Sequence, residues 1–131
     1  MKPYIVAATL WAALVLAGCA SAPEPGQVAA ADIGPLPSNY QEVVKAYYAE
    51  TLFDPYSAVF VFKAGPFRGY AGNRIEGANI GWIVCGTLNA KNRYGAYVGA
   101  KPFLAVMRYD RVVYQEQAFI AERCVRNGHL D

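Results

Sequence analysis

Fourteen consecutive residues, Tyr4 to Ala17, carry no charge and follow a single lysine at Lys2. This run limits what the amino-terminal part of the chain can become. A helix that crosses a bilayer needs about 20 apolar residues. A charged start followed by a shorter apolar stretch is the layout of an export signal. Read that way, residues 1–18 contribute nothing to the folded domain. Removing them from 131 residues leaves 113, enough for one domain and not two.

The apolar run ends in Leu16-Ala17-Gly18-Cys19. These four residues resemble the lipobox of bacterial lipoproteins. The resemblance implies that the Cys19 sulfur accepts a diacylglyceryl group, that the chain is cut before it, and that the new amino terminus is acylated. Each buried methylene contributes about 0.8 kcal/mol, so several chains on one residue make a lasting anchor. Ala20 follows the cysteine where an inner-membrane retention signal carries aspartate. The resemblance therefore implies the outer membrane, with the domain facing the periplasm.

An exported domain sits in an oxidising compartment, where spare cysteines pair. With Cys19 lipidated, Cys85 and Cys124 remain, and a disulfide between them is expected. The mature chain keeps 11 of the 12 basic residues against 10 acidic ones. That balance gives no reason to invoke nucleic acid as a partner.

Three regions are expected. Residues 1–18 form the signal. Residues 19–37, rich in proline, glycine and alanine without apolar periodicity, read as a lipidated flexible tether. Residues 38–131 form a single α+β domain. Ser38 and Gln41 fit a capping box. Tyr40, Val43, Val44, Tyr47, Tyr48 and Leu52 then recur at helical spacing. This predicts an amphipathic helix of about 13 residues, stopped at Asp54-Pro55. Beyond it the β-branched and aromatic segments 58–63, 79–88, 102–109 and 112–115 read as strands. An antiparallel meander of about four strands, with the helix on one face, follows from their close spacing. Residues 64–78, with four glycines, are expected to be a loop. The segment 119–125 fits either a short helix or a last strand. Tyr47, Phe53, Phe60, Phe62, Trp82, Phe103, Tyr109 and Phe119 are the aromatics expected in the core.

Two runs stand out. One is Asp54-Pro55-Tyr56-Ser57-Ala58. The other joins Cys85-Gly86 to Asn89-Ala90-Lys91-Asn92 and Gly95-Ala96-Tyr97-Val98-Gly99. Together they resemble a family of small bacterial envelope proteins without an assigned activity. Ala96 stands where that turn carries a second glycine. The resemblance implies fold and location, and no chemistry. Asparagines and glycines in this pattern suit a turn whose side chains bond the backbone. The same residues, Asn89, Lys91, Asn92, Arg93 and Tyr97, are also a candidate recognition patch.

No catalytic set emerges. Ser57 has no histidine placed beside it, and His129, the sole histidine, lies three residues from the end. One histidine and two paired cysteines leave no metal set, and no cofactor motif is present. The reading is a non-enzymatic, membrane-anchored lipoprotein that binds a partner protein or an envelope polymer. The alternative is an envelope hydrolase, or an inhibitor of one, acting through loop 64–78 with Tyr70, Arg74 and Glu76 converging on a pocket.

Overall fold

The computed structural model describes residues 21–117 together with Cys124. Two helices, α1 (Pro25–Ala30) and α2 (Tyr40–Ala49), precede a 3-10 turn at Pro55–Ser57. Four strands follow: β1 (Val59–Asn73), β2 (Gly77–Asn89), β3 (Lys101–Arg108) and β4 (Arg111–Glu116). They pair antiparallel in the order β1-β2-β3-β4. The protein is thus a mixture of helix and antiparallel sheet.

Side chains alternate between the faces of a strand, and β2 and β3 are apolar at both sets of positions. On one face Val84, Leu88, Phe103, Ala105 and Met107 pack with Val44 and Tyr48 of α2. Those two helix residues are four apart, so they lie on one stripe. On the other face Ile83, Cys85, Leu104 and Val106 cluster with Ala71 and Cys124. Phe103 organises the first core. Its ring lies 5.4 Å from Tyr48, 6.0 Å from Phe60 and 5.8 Å from Phe62, tilted or edge-on to each. Gly86 pairs with Phe103 across the ladder. A Cβ there would overlap the Val61 carbonyl and press on the Phe103 ring.

Cys85 and Cys124 form a disulfide, with Cα atoms 6.4 Å apart and a sequence separation of 39. A loop of this length restricts the unfolded chain by about 4 kcal/mol in the chain-entropy model. The bond ties Cys124 to the second face of β2.

The segment expected to be a free tether is laid on the sheet. Ile33 is 1% exposed, as buried as any core residue. The Tyr109 amide donates to the Ile33 carbonyl at 2.8 Å, and the Trp82 indole N–H donates to the Gly34 carbonyl at 3.1 Å. Arg68 donates to the Ala31 carbonyl at 2.8 Å, and Tyr109 donates its hydroxyl to Asp32 at 2.7 Å. That hydrogen bond raises the Tyr109 pKa above the usual phenol value. Residues 24–37 therefore act as a strap over one end of the helix-covered face. The physical reason it is not a random tether is that its carbonyls meet fixed donors while its one isoleucine is buried. Periodicity, the sequence signal for packing, requires more than one apolar side chain.

Other departures have local causes. Residues 64–78 are not a loop: β1 continues to Asn73, and β2 starts at Gly77. Ladder bonds use backbone only, so a glycine-rich chain can pair where its partner strand is well held. Two register shifts between Phe62 and Phe67 absorb the irregularity. Helix α2 has Asn39 at its N-cap with no side-chain cap bond, and the Pro37 carbonyl accepts the Tyr40 amide instead. Phe53 is 73% exposed and Tyr109 46% exposed, so neither belongs to the core. Tyr48, not Tyr47, is the tyrosine buried from α2. Phe119 and most of segment 119–125 lie outside the described residues.

Two outcomes follow from this packing. Gly34 has φ +71, and a Cβ on it would overlap the Tyr109 ring. Gly34→Ala is expected to cost about 1–2 kcal/mol from backbone strain alone, read as a lower urea midpoint, with Trp82 emission shifted to the red as the strap lifts. The buried Tyr48 hydroxyl meets no hydrogen-bond partner among the described residues, and burial, then Tyr47, pushes its pKa up. An unpaired buried polar group costs about 1–3 kcal/mol. Tyr48→Phe is therefore expected to leave thermal stability equal or higher.

Candidate functional site

The two motifs singled out in the sequence meet in space. Asp54 accepts the Ser57 amide on its carboxylate at 3.2 Å, and the Ser57 hydroxyl donates to the Asp54 carbonyl at 2.8 Å. Proline at the first position of the 3-10 turn sets the backbone angle this needs. The same Ser57 oxygen accepts the Lys91 amide at 2.9 Å. The Tyr97 hydroxyl donates to the Ser57 carbonyl at 3.1 Å. Ser57 thus joins the turn after α2 to the hairpin between β2 and β3.

That hairpin is built largely by its own asparagines. The Asn92 side-chain oxygen accepts the Tyr94 amide at 2.9 Å and the Ala96 amide at 3.2 Å. The Asn89 side-chain oxygen accepts the Gly99 amide at 3.0 Å. Lys91 and Tyr97 form a bridge pair, and the Asn92 amide donates to the Ala96 carbonyl at 2.9 Å. Gly95 and Gly99 take positive φ, where side chains are disfavoured. Ala96, where a second glycine was the comparison, sits within this bonded turn.

The predicted patch therefore divides. Asn89 and Asn92 spend their side-chain oxygens on the loop. Lys91 and Arg93 remain available. The Lys91 ammonium lies 5.4 Å from the Tyr97 ring centre and the Arg93 guanidinium 5.2 Å from that of Tyr94. Such distances give cation–π attraction, about 0.5–1 kcal/mol where exposed. Tyr94 is 79% exposed, Tyr97 49% and Tyr56 101%. Tyr56 and Tyr94 were not singled out from sequence. An aromatic at a turn tip, flanked by the bonded residues, is the signal that could have found them.

From Gly77 to Tyr109 the chain has no aspartate or glutamate, yet it carries Lys91, Arg93, Lys101 and Arg108. Arg108 is used internally, donating to the Ile80 carbonyl at 2.7 Å.

The residues of the alternative site are not assembled in this way. Tyr70 lies on β1 opposite Ile80. Arg74 and Glu76 lie at the β1–β2 turn, where Asn73 accepts the Ile75 and Glu76 amides and donates to the Glu76 carboxylate. Glu76 borders a shallow hollow with Tyr47, Asn79, Val113, Tyr114 and Gln115, and neither Tyr70 nor Arg74 lines it. Among the described residues, no group of three His, Cys, Asp or Glu side chains is placed to hold a metal ion. Cys19 and His129 lie outside the described residues.

Comparison with protein-family models, curated proteins and solved structures gives no match. What can be argued about the site comes from its own geometry.

Removing the Ser57 hydroxyl tests that geometry. Ser57→Ala leaves the Lys91 amide without its acceptor. It is expected to destabilise the domain by about 1–2 kcal/mol in chemical denaturation, and to speed hydrogen exchange more at the Lys91 amide than at the core amide of Val84.

Proposed function

We propose that this chain is a lipoprotein of the bacterial envelope, anchored through Cys19 in the outer membrane and facing the periplasm. Its domain binds a partner protein or an envelope polymer and is not an enzyme. The motif around Cys19 supports the anchor. The docked strap supports an orientation.

The strap meets the sheet near Trp82 and Tyr109. The Asn89–Gly99 hairpin leaves the opposite end of β2. From Trp82 to Asn89 the strand advances about 23 Å. Between Cys19 and Glu24 the chain reaches at most about 18 Å. This short leash holds the strap end of the sheet near the bilayer and turns the hairpin outward. The observation that supports the reading is the strap docked at one end of the sheet, with a preorganised, cationic and aromatic hairpin at the other. A rigid loop loses little entropy on binding.

The alternative, a hydrolase or its inhibitor working through 64–78, has less support. That segment is mostly paired strand, and the hollow that Glu76 borders is lined by neither Tyr70 nor Arg74.

The anchor is tested by replacing one atom. With Cys19→Ser, the protein is expected to lose the lipid mass and to leave the outer-membrane fraction, and the wild-type protein to carry the added mass of a lipid on its amino-terminal peptide. Unchanged membrane partitioning of the serine variant would contradict the proposal.

A further inference from the structure

We propose that the far hairpin binds a glycan that bears carboxylates, with Lys91, Arg93 and Lys101 taking the acidic groups and Tyr94 and Tyr97 of the hairpin, with Tyr56 of the turn bonded to it, offering ring faces to the sugars. This rests on the orientation proposed above and names the ligand class of that site.

Charge comes first. The stretch from Gly77 to Tyr109 is free of acidic residues. Among the described residues, no carboxylate forms a salt bridge with Lys91, Arg93 or Lys101. The one acidic side chain in the adjoining turn, Asp54, accepts the Ser57 amide. A near-neutral protein has thus gathered three cations at one tip, none of them in a salt bridge among the described residues. Such a tip complements an anion and raises its local concentration.

The aromatic arrangement narrows the anion to a class. The Arg93 guanidinium lies by the Tyr94 ring, 5.2 Å from its centre. This contact keeps the guanidinium beside the ring, and its planar fork matches a carboxylate through two parallel hydrogen bonds. Tyr94, at 79% exposed, has a ring face left for a ligand. Exposed aromatic faces suit the flat, C–H-lined side of a pyranose ring, while the phenol hydroxyl can bond the ring's polar rim. A sugar chain with acidic groups presents both features at short repeat. An acidic peptide would use the cations and leave the rings idle.

The loop is also stiff in the way such a site requires. Asn92 fixes the Tyr94 and Ala96 amides, Asn89 fixes Gly99, and Tyr97 is held by Ser57. The backbone that carries Tyr94 and the position of the Tyr97 ring are therefore set before any ligand arrives.

Co-sedimentation of the mature lipidated chain in detergent with purified peptidoglycan sacculi tests this. Chitin serves as a neutral glycan, poly-glutamate beads as an acidic peptide, and phosphatidylglycerol vesicles as an anionic lipid surface. Binding to sacculi at least tenfold stronger than to each of the other three supports the proposal. So does a tenfold loss with Arg93→Gln, partial recovery with Arg93→Lys, and a similar loss with Tyr94→Ala. No binding to sacculi, equal binding to poly-glutamate or to vesicles, or binding to sacculi that ignores Arg93→Gln overturns it. Both positions are exposed, and an unchanged thermal midpoint shows that each variant is folded. Should Tyr94→Ala lower that midpoint, Arg93→Gln and Arg93→Lys alone decide. The Cys19→Ser chain is run beside the lipidated one. Equal sedimentation of the two separates a failure of the binding site from a failure of the anchor.

Discussion

A sheet whose central strands are apolar on both faces is unstable in water until each face is covered. β2 and β3 are such strands: Ile83, Val84, Leu104, Ala105, Val106 and Met107 are each at most 1% exposed. The remaining elements can be understood as answers to that constraint. Helix α2 covers one face with Val44 and Tyr48, and the strap, with Ile33 buried and the Gly34 carbonyl bonded to the Trp82 indole, continues the cover. On the other face Cys124 is fastened to Cys85. Burying a side chain such as Ile33 contributes about 1.5–3 kcal/mol, enough to matter in a domain of this size.

Covering the sheet also fixes the polarity of the molecule. Donors from Arg68, Trp82 and Tyr109 capture the strap at one end. The other end of β2 runs into a hairpin whose shape is held by Asn89, Asn92 and Ser57. The end that captures the strap and the end that presents cations are thus separated along the strands. The asparagines hold backbone, and the neighbouring cations and tyrosines are left outward. A loop with its amides satisfied internally can present charge without the cost of ordering it later.

Much of this was legible in the sequence because it rests on side-chain pattern. The strands and their antiparallel order follow from β-branched runs at short spacing, and the disulfide from cysteine arithmetic. The helix-spaced tyrosines and valines mark the stripe that Val44 and Tyr48 occupy. What pattern cannot show is contact made through backbone. The strap is held chiefly by its carbonyls, so Asp32-Ile33-Gly34 looked like linker. The stretch 65–73 pairs through its amides, so its glycines looked like a loop. Phe53 and Tyr56 illustrate the reverse. Aromatic residues ordinarily signal burial, yet these two sit at a turn where nothing covers them. At the site, the asparagine turn was readable from composition, but its link to Ser57 spans 34 residues in sequence and leaves no local trace.

The central claim is that residues 24–37 are bound to the sheet. Hydrogen exchange at two protons reads this directly: the Trp82 indole N–H and the Tyr109 amide, whose acceptors are both strap carbonyls. In the mature chain both are expected to exchange slower than free groups by on the order of a hundredfold, and both should become fast when residues 24–37 are deleted. Rapid exchange of both protons in the intact chain would contradict the account.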